Sequence, residues 1–416
     1  MSTIARHFRE YISHVRLISR NAYLFLLASF FLGFGTSVFW LLLNLYLKQL
    51  GYQEGTIGTI LSASSIGAVI VAIPAAIMVD NIRVKFVLIT ATLVSSASGI
   101  AMAMSSQVVA LRSLYGVIGA MGTISSVAAS PFFMRNSTPT ERSHLFGLNM
   151  ALNTFSGFIG SLAGGFIPSA LAKQGIALLY GYRFTLIGGA SLALIAVAFY
   201  LLIKSDHPYR REKVSLKEYI GGRDWKTMIR LMIPHFTIGM GAGLVIPFLN
   251  LYFLKRFDLE SESIGRIFSI GAVFTATGFL VGPAIVKKIG MLKTIVVTEF
   301  LSIPFFLILA FSNNLPLSIL AFYFRGSLMN MATPIYSNFS LELVPADQQA
   351  GVNSMLSLAW SLSWMVSTNL GGHIIEHYGF TPVMLITVAL YITATTSIFI
   401  FFRQHGQLGK TIRQNI

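Results

Sequence analysis

The four-residue sequence Leu-Asn-Leu-Tyr occurs twice in this chain, once around Asn44 and once around Asn250, 206 positions later. Downstream pairs keep nearly the same offset, and Gly165 falls on Gly372 at 207 positions. A period of half the chain is not that of a solenoid and indicates a duplicated half. In a membrane chain, such a duplication predicts two bundles around a shared pathway.

Hydrophobic residues make up 54% of the 416 residues and charged residues only 11%, which is too apolar for an ordinary soluble fold. We predict an all-α polytopic membrane protein with twelve transmembrane helices in two pseudo-symmetric six-helix bundles. The expected organisation is an N-terminal bundle (1–203), a basic cytoplasmic linker (204–226), and a C-terminal bundle with a cytoplasmic tail (227–416). The predicted spans lie near 22–47, 55–79, 84–104, 107–134, 144–172, 183–203, 228–254, 263–287, 291–312, 315–343, 350–375 and 380–402.

The net charge of +15 is distributed unevenly. With the N-terminus placed in the cytoplasm, 22 of the 30 Lys and Arg lie on that side, eight of them between Lys204 and Arg230. This positive-inside bias predicts a multi-pass protein of the cell (inner) membrane with both termini cytoplasmic. We expect the basic linker to lie on anionic lipid headgroups and expect no nucleic-acid partner.

The chain has no cysteine, which excludes disulfides, thiol catalysis and thiolate metal sites. Its eight histidines are scattered rather than paired, so we expect no metal site, no cofactor and no enzyme activity. The expected partners are a small-molecule substrate, protons as the coupling ion and membrane lipids, and the chain is expected to be a monomer.

Charged residues inside spans are costly and indicate functional positions. Arg325 follows Pro316 by nine residues, which places it about 13–14 Å deep at ~1.5 Å rise per residue. Either Glu299 in the ninth span or an anionic substrate could neutralise it, and a purely structural pair stays possible. Arg112 is shallower, about 7–8 Å by the same rise, where an arginine can also snorkel to the interface.

Three further residues have both a structural and a functional interpretation. Asn44 and Asn250 need partners in lipid, so each forms an interhelical hydrogen bond or contacts substrate. His235 follows a proline near the inner end of the seventh span and is either a coupling group or a satisfied structural histidine.

Three segments resemble motifs of the major facilitator superfamily, and two of them contain charged residues. The loop from Asp80 through Arg83 to Lys85 resembles the superfamily's acidic-basic loop, although Ala76 stands where a glycine is expected. Arg112-Ser-Leu-Tyr-Gly resembles the fourth-span motif, with Tyr115 where glutamine is common.

The fifth span carries glycines from Gly157 to Gly165 and resembles the superfamily's antiporter motif, with Ser161 in place of the motif's proline. Small residues at every fourth position describe tight helix packing equally well. Both interpretations therefore remain open for this span.

The resemblance implies the major facilitator fold, with substrate near the midplane and the first, fourth, seventh and tenth spans lining the cavity. It implies that the substrate path includes Asn44, Tyr46, Arg112, Tyr115, Asn250, Tyr252, Tyr323, Arg325, Asn330 and Tyr336. Candidate coupling or gating residues are Asp80, Arg83, Glu299 and His235.

The function implied by the resemblance is secondary active transport by alternating access. The two intramembrane arginines favour a small organic substrate that is anionic or amphipathic. The fourth- and fifth-span motifs favour proton-coupled export. The alternatives are an organic-anion uptake carrier and a lipid flippase on the same fold.

Overall fold

A computed structural model describes residues 19–204, 224–345 and 348–403. Within these ranges the chain forms twelve consecutive helical segments, one for each predicted span, which confirms the all-α fold class. The segments are α1 (Arg20–Gln49), α2 (Glu54–Asn81), α3 (Val84–Met104), α4 (Val108–Arg135), α5 (Pro139–Lys173), α6 (Leu178–Ala193, continued by Ile195–Leu202), α7 (Trp225–Val245, a 3₁₀ turn at Ile246–Phe248, then Leu249–Phe257), α8 (Ser261–Ile289), α9 (Met291–Phe311), α10 (Leu315–Glu342), α11 (Gln349–Tyr378) and α12 (Phe380–Phe402).

Ten of the twelve segments are by themselves long and apolar enough to cross a membrane, judged over the described residues. The two others are α10, which contains Arg325 and Asn330, and α11, which contains His373 and Glu376. These polar side chains lower the mean hydropathy of the two helices. Most of them face other protein segments or a cavity, so the lower hydropathy is compatible with spanning.

Two predicted boundaries differ from the structure by more than a helical turn. Helix α5 begins at Pro139 rather than near residue 144, and helix α6 begins at Leu178 rather than near residue 183. Arg183 lies inside this helix, where its Nε donates to the Tyr46 hydroxyl at 3.4 Å and its guanidinium lies 5.7 Å from the centre of the Tyr180 ring. A basic residue with such partners does not end a span.

The two halves repeat the same packing. Helix α1 packs on α5 and α6 as α7 packs on α11 and α12, and α2 packs on α4 as α8 packs on α10. The main contacts between the halves are α2 with α11 and α5 with α8. The relation between the halves pairs α2 with α8 and α5 with α11, so it maps one of these contacts onto the other. The structure therefore has the pseudo-twofold relation that the duplicated sequence predicts.

Both contacts between the halves depend on glycine. A Cβ at Gly58 would lie 2.7 Å from the carbonyl oxygen of Thr368, and a Cβ at Gly265 would lie 2.7 Å from that of Ser161. The first pair joins α2 to α11 and the second joins α8 to α5, and they are equivalent in the two halves. At both crossings the backbones approach too closely for any side chain.

The repeated asparagines meet between the halves. Asn44 and Asn250 are both buried, and the Nδ2 of Asn44 donates to the Oδ1 of Asn250 at 3.1 Å and to the carbonyl oxygen of Pro247. Asn250 in turn donates to the carbonyl oxygen of Leu41 and accepts from the Leu251 N–H, at 2.7 and 2.8 Å. Pro247 and Leu251 flank the junction between the 3₁₀ turn and the last part of α7, so the amide pair satisfies backbone groups at an irregular point.

Charged residues surround this joint at the face that carries the loops α1–α2 and α7–α8, here called the sealed face. The carboxylate of Glu54 is 1% exposed and lies 3.1 Å from Lys48 Nζ and 2.7 Å from Lys255 Nζ. Glu262 pairs with Lys173 at 3.1 Å and also with Arg266. Lys255 and Lys173 each reach the other half, so ion pairs join the halves on both sides of the joint.

All hydrogen bonds and ion pairs recorded between the halves, over the described ranges, lie toward the sealed face. The opposite face, here called the terminus face, carries the start of α1, the end of α12 and the break between the halves. The polar contacts recorded between the halves therefore hold them together at the sealed face.

The sealed face can be tested by cross-linking, because the chain has no cysteine to interfere. The hydroxyl oxygens of Ser169 on α5 and Ser261 on α8 lie 3.2 Å apart. This spacing exceeds the S–S bond length of about 2.05 Å by only about 1 Å, so a small rotation of the two side chains suffices for a disulfide. Under mild oxidation, the variant Ser169→Cys/Ser261→Cys should cross-link, and cleavage at a protease site inserted within 205–223 should leave both halves joined on a non-reducing gel.

The matched control is Ser169→Cys with Ser269→Cys. Ser269 is also buried on α8, but it lies two turns away, about 12 Å along the helix. This control should separate into two fragments without reductant. Equal cross-linking of both variants, or of neither, would contradict the described packing of α5 on α8.

Candidate functional site

A cavity of about 300 Å³ lies between the two halves. Helices α1 and α5 from the first half and α7, α8 and α10 from the second contribute to its wall. Its polar lining comes from Thr36, Ser37 and Ser161 on one side and from Thr275, Arg325 and Asn330 on the other. Arg325 is the charged residue in this lining.

The guanidinium of Arg325 is buried, with 5% of the residue exposed, and it lies 5.2 Å from the centre of the Phe306 ring. The Nε atom has no hydrogen-bond partner among the described residues, and no carboxylate of the described chain lies within ion-pair distance of the guanidinium. An aromatic face compensates a cation only partly. The site therefore holds a positive charge that no carboxylate of the described residues pairs with directly.

Glu299 on α9 is buried but has a different partner. Its Oε2 accepts a hydrogen bond from Thr395 Oγ1 at 2.7 Å, which ties α9 to α12. The Phe306 ring that contacts Arg325 also packs edge-on against the buried Tyr391 on α12, with ring centres 5.6 Å apart. Of the two partners considered for Arg325 from the sequence, Glu299 thus lies nearby without forming a direct ion pair.

The other candidates on α10 take three different positions. Asn330 lines the cavity and donates to the carbonyl oxygen of Gly326 at 2.8 Å. Tyr323 is buried and stacks on Phe274, with ring centres 4.8 Å apart. Tyr336 donates to the carbonyl oxygen of Leu231. The structure thus brings Asn330 together with Arg325 in the cavity, and the two tyrosines lie in the packing behind it.

The repeated tyrosines occupy equivalent structural positions. The hydroxyl of Tyr46 donates to the carbonyl oxygen of Ala103, and that of Tyr252 donates to the carbonyl oxygen of Leu309, both at 2.8 Å. Each bond ties the first helix of its half to the third. Asn44 and Asn250 are bonded to each other. The two asparagines and the two tyrosines of the repeated sequence therefore all make contacts between helices.

Arg112 lies away from Arg325. It is exposed and lines a separate groove of about 460 Å³ between α2 and α4, next to Ile70 and Val109. Tyr115, one turn further along α4, packs against the apolar core and does not line this groove. The two intramembrane arginines therefore do not share one cavity.

The candidate gating residues lie toward the terminus face. The side chain of Asp80 lies outside the described residues, and Arg83 is exposed at the start of α3. Lys85 binds the end of α6 by donating to the carbonyl oxygens of Leu201 and Ile203 at 2.6 and 2.8 Å. His235 stacks on Tyr336, with ring centres 5.1 Å apart.

The glycines of the fifth span mainly serve packing. A Cβ at Gly160 would lie 2.8 Å from the carbonyl oxygen of Phe34 on α1, and Gly165 lies against Gly265 on α8. Gly157 lines the cavity instead. The small residues of α5 thus let α1 and α8 approach closely, and one of them opens space for a ligand.

Sequence reasoning did not assign a role to the tryptophans near the cavity. Trp40 lines it and is 44% exposed, and its ring centre lies 6.1 Å from that of Trp364 on α11. The signal was present in the sequence, because Trp360 and Trp364 are spaced i, i+4 and therefore share a helical face.

Comparisons with known proteins agree with this architecture. Among solved structures, a mutant of the nucleoside transporter NupG superposes with a TM-score of 0.77 at 16% identity, covering 92% of this chain and 100% of that chain. A bacterial homologue of the human lysosomal transporter Spinster, inward-facing and occupied, has a TM-score of 0.76 at 14% identity, with 94% and 97% covered. The human organic anion transporter MFSD10 has a TM-score of 0.65 at 16% identity, with 91% and 99% covered.

At these identities the structural likenesses establish the fold alone. No curated protein matches the sequence. The sequence profile of the Major Facilitator Superfamily, however, matches residues 25–368, which is most of the chain and includes the cavity between the halves. With this match and the paired six-helix bundles, the chain belongs to the Major Facilitator Superfamily.

Proposed function

We propose that this protein transports a small organic anion across the cell (inner) membrane by alternating access, with Arg325 as the principal anion-binding residue. The observation that carries the proposal is the buried guanidinium of Arg325, which lines the cavity between the halves without an ion-pair partner among the described residues.

The energetic argument concerns the cost of a bare charge. An arginine at mid-bilayer costs about 2.5–3.5 kcal/mol or more unless something compensates it. Phe306 lowers this cost in part, and Glu299 is bonded to Thr395 instead. A bound carboxylate or phosphate would complete the site, because the planar fork of a guanidinium matches two oxygen atoms of such groups.

The proposed topology places the terminus face in the cytoplasm, following the positive-inside bias of the sequence. The structure then corresponds to the state that is closed to the outside. Transport requires the contacts of the sealed face to separate while the opposite ends of the helices come together.

We propose proton-coupled export as the direction, supported by the resemblance of the α4 and α5 sequences to exporter motifs. Glu299 is the proposed proton carrier, because it is a buried carboxyl group of the second half and lies on α9 two turns from Phe306, whose ring contacts Arg325. Uptake of the same anion is the alternative, and an imposed pH gradient distinguishes the two.

Arg325→Ala should abolish anion transport while the protein stays folded. We expect the Kd for carboxylates to rise about 30-fold or more, since losing hydrogen bonds to a charged group costs about 2 kcal/mol. Arg325→Lys should recover part of the activity, because the charge remains and the forked geometry is lost. Transport in proteoliposomes and the melting temperature measure these effects, with Arg403→Ala, at the exposed end of α12, as the matched control.

Two results would contradict this assignment. A folded Arg325→Ala protein with undiminished transport would remove Arg325 from the site. If Arg325→Ala instead lowers the melting temperature and Glu299→Gln restores it, then Glu299 is the compensating partner and the arginine is structural.

Glu299→Gln should separate binding from coupling. Glutamine can still accept the hydrogen bond from Thr395 but cannot carry a proton, so anion exchange should persist and transport driven by a pH gradient should be lost. In the wild type, acid outside should drive efflux of preloaded anion if the protein is an antiporter, and influx if it is an uptake carrier. The matched control is Glu342→Gln at the exposed C-terminal end of α10, which should leave both activities unchanged. Loss of exchange in Glu299→Gln would count against a pure coupling role.

A lipid flippase is the second candidate, favoured by the groove between α2 and α4. Ile70 and Val109 beside this groove are 68% and 76% exposed, and Arg112 offers one positive charge. This combination suits acyl chains and a phosphate headgroup. If lipid is the substrate, Arg112→Ala should slow the translocation of a fluorescent anionic phospholipid in proteoliposomes, and Arg325→Ala should not. The reverse pattern would exclude this candidate.

A further inference from the structure

Five rings form a continuous aromatic ladder beside the cavity. Trp40 lies 6.1 Å from Trp364, which lies 5.8 Å from Trp360, which lies 5.2 Å from His235, measured between ring centres. Tyr336 follows at 5.1 Å from His235. The rings come from α1, α11, α7 and α10, so the ladder crosses from one half to the other.

The two tryptophans of the ladder that belong to α11 lie on a polar face of that helix. Trp360 and Trp364 share a helical face with the exposed polar residues Asn353 and Ser357, which lie one to three turns toward the terminus face. The exposed apolar residues Val366 and Leu370 lie on the other side of the helix. A polar face continued by tryptophans fits a pathway, and the opposite apolar face fits lipid.

The fold does not require these rings. At the 207-residue offset that relates Gly165 to Gly372, the counterparts of Trp360 and Trp364 on α5 are Asn153 and Gly157. At the 206-residue offset of the repeated asparagines, the counterpart of Trp40 is Ile246 on α7. Gly157 and Ile246 also line the cavity, so one wall is aromatic where its equivalent in the other half is small or aliphatic.

One polar atom of the ladder lacks a partner. The indole Nε1 of Trp364 is buried, and no hydrogen bond satisfies it within the described chain. A buried indole N–H normally finds an acceptor, and leaving it unpaired lowers the stability of the fold. An acceptor atom on a bound molecule would remove this cost.

We propose that the substrate is an anion that carries a flat aromatic or heteroaromatic ring. The ring stacks on Trp40, and the anionic group contacts Arg325 in the same cavity. The cavity volume of about 300 Å³ is at the small end for ligand pockets and favours one ring or two fused rings. This inference rests on the proposed function and narrows its substrate class.

Benzoate and cyclohexanecarboxylate are suitable probes, since they share a carboxylate and a six-membered ring and differ in aromaticity. Calorimetry on the purified protein should give a Kd about tenfold lower for benzoate, because a good aromatic contact contributes about 1.4 kcal/mol. Trp40→Leu should remove this preference and leave cyclohexanecarboxylate binding unchanged. Trp225→Leu, at the exposed start of α7, is the matched control and should behave as wild type.

Tryptophan fluorescence gives a second readout. The chain has four tryptophans, and only Trp225 lies outside the ladder. In the Trp225→Phe variant every remaining indole belongs to the ladder, so benzoate should change the emission and cyclohexanecarboxylate should change it less.

The outcomes separate this inference from the proposed function. If both acids bind equally and Arg325→Gln abolishes both, the aromatic class is overturned and the anion transporter stands. If benzyl alcohol binds as tightly as benzoate in a Trp40-dependent way, the aromatic contact stands and the role of Arg325 is overturned. If no probe binds, both proposals are overturned.

Discussion

The buried amide pair of Asn44 and Asn250 is the contact on which the closure of this molecule depends. It joins the first helix of each half and also satisfies backbone groups at the irregular point of α7. Polar groups in apolar surroundings have to be paired, so these hydrogen bonds cannot be broken without replacement. Separation of the halves at this face therefore requires water to reach the amides as the contact opens.

Below this joint the two halves stop being equivalent. The sealing contacts are nearly symmetric, with the glycine crossings of Gly58 and Gly265 and the paired lysines Lys48 and Lys255 repeated in each half. The cavity has no such symmetry, because Arg325 and the tryptophans have no counterparts of the same kind. Duplication thus supplies the frame and the closure, and the residues proposed to recognise the substrate lie at positions where the copies have diverged.

The sequence predicted the number of spans, their approximate limits and the equivalence of the repeated asparagines, because span length and a repeated motif do not depend on helix rotation. It left open whether each asparagine bonds another helix or contacts substrate, and the structure shows that the two bond each other. It did not predict which residues share a cavity. Helix α1 is apolar around most of its circumference, since lipid and protein both favour apolar contacts, so its sequence has little periodicity that indicates the inner face. The sequence likewise does not show which way a span is rotated about its axis. Arg112 and Arg325 are both arginines inside spans, and the structure places them at different sites.

The break in α7 gives the two halves different stiffness. Helix α1 runs as one rod from Arg20 to Gln49, whereas α7 is interrupted by the 3₁₀ turn at Ile246–Phe248 before its last nine residues. A continuous helix resists bending along its whole length, and an interrupted one bends at the interruption. We therefore expect the segment Leu249–Phe257 to rotate as a short rigid piece about this turn. The contacts of the sealed face that involve this segment should then separate first.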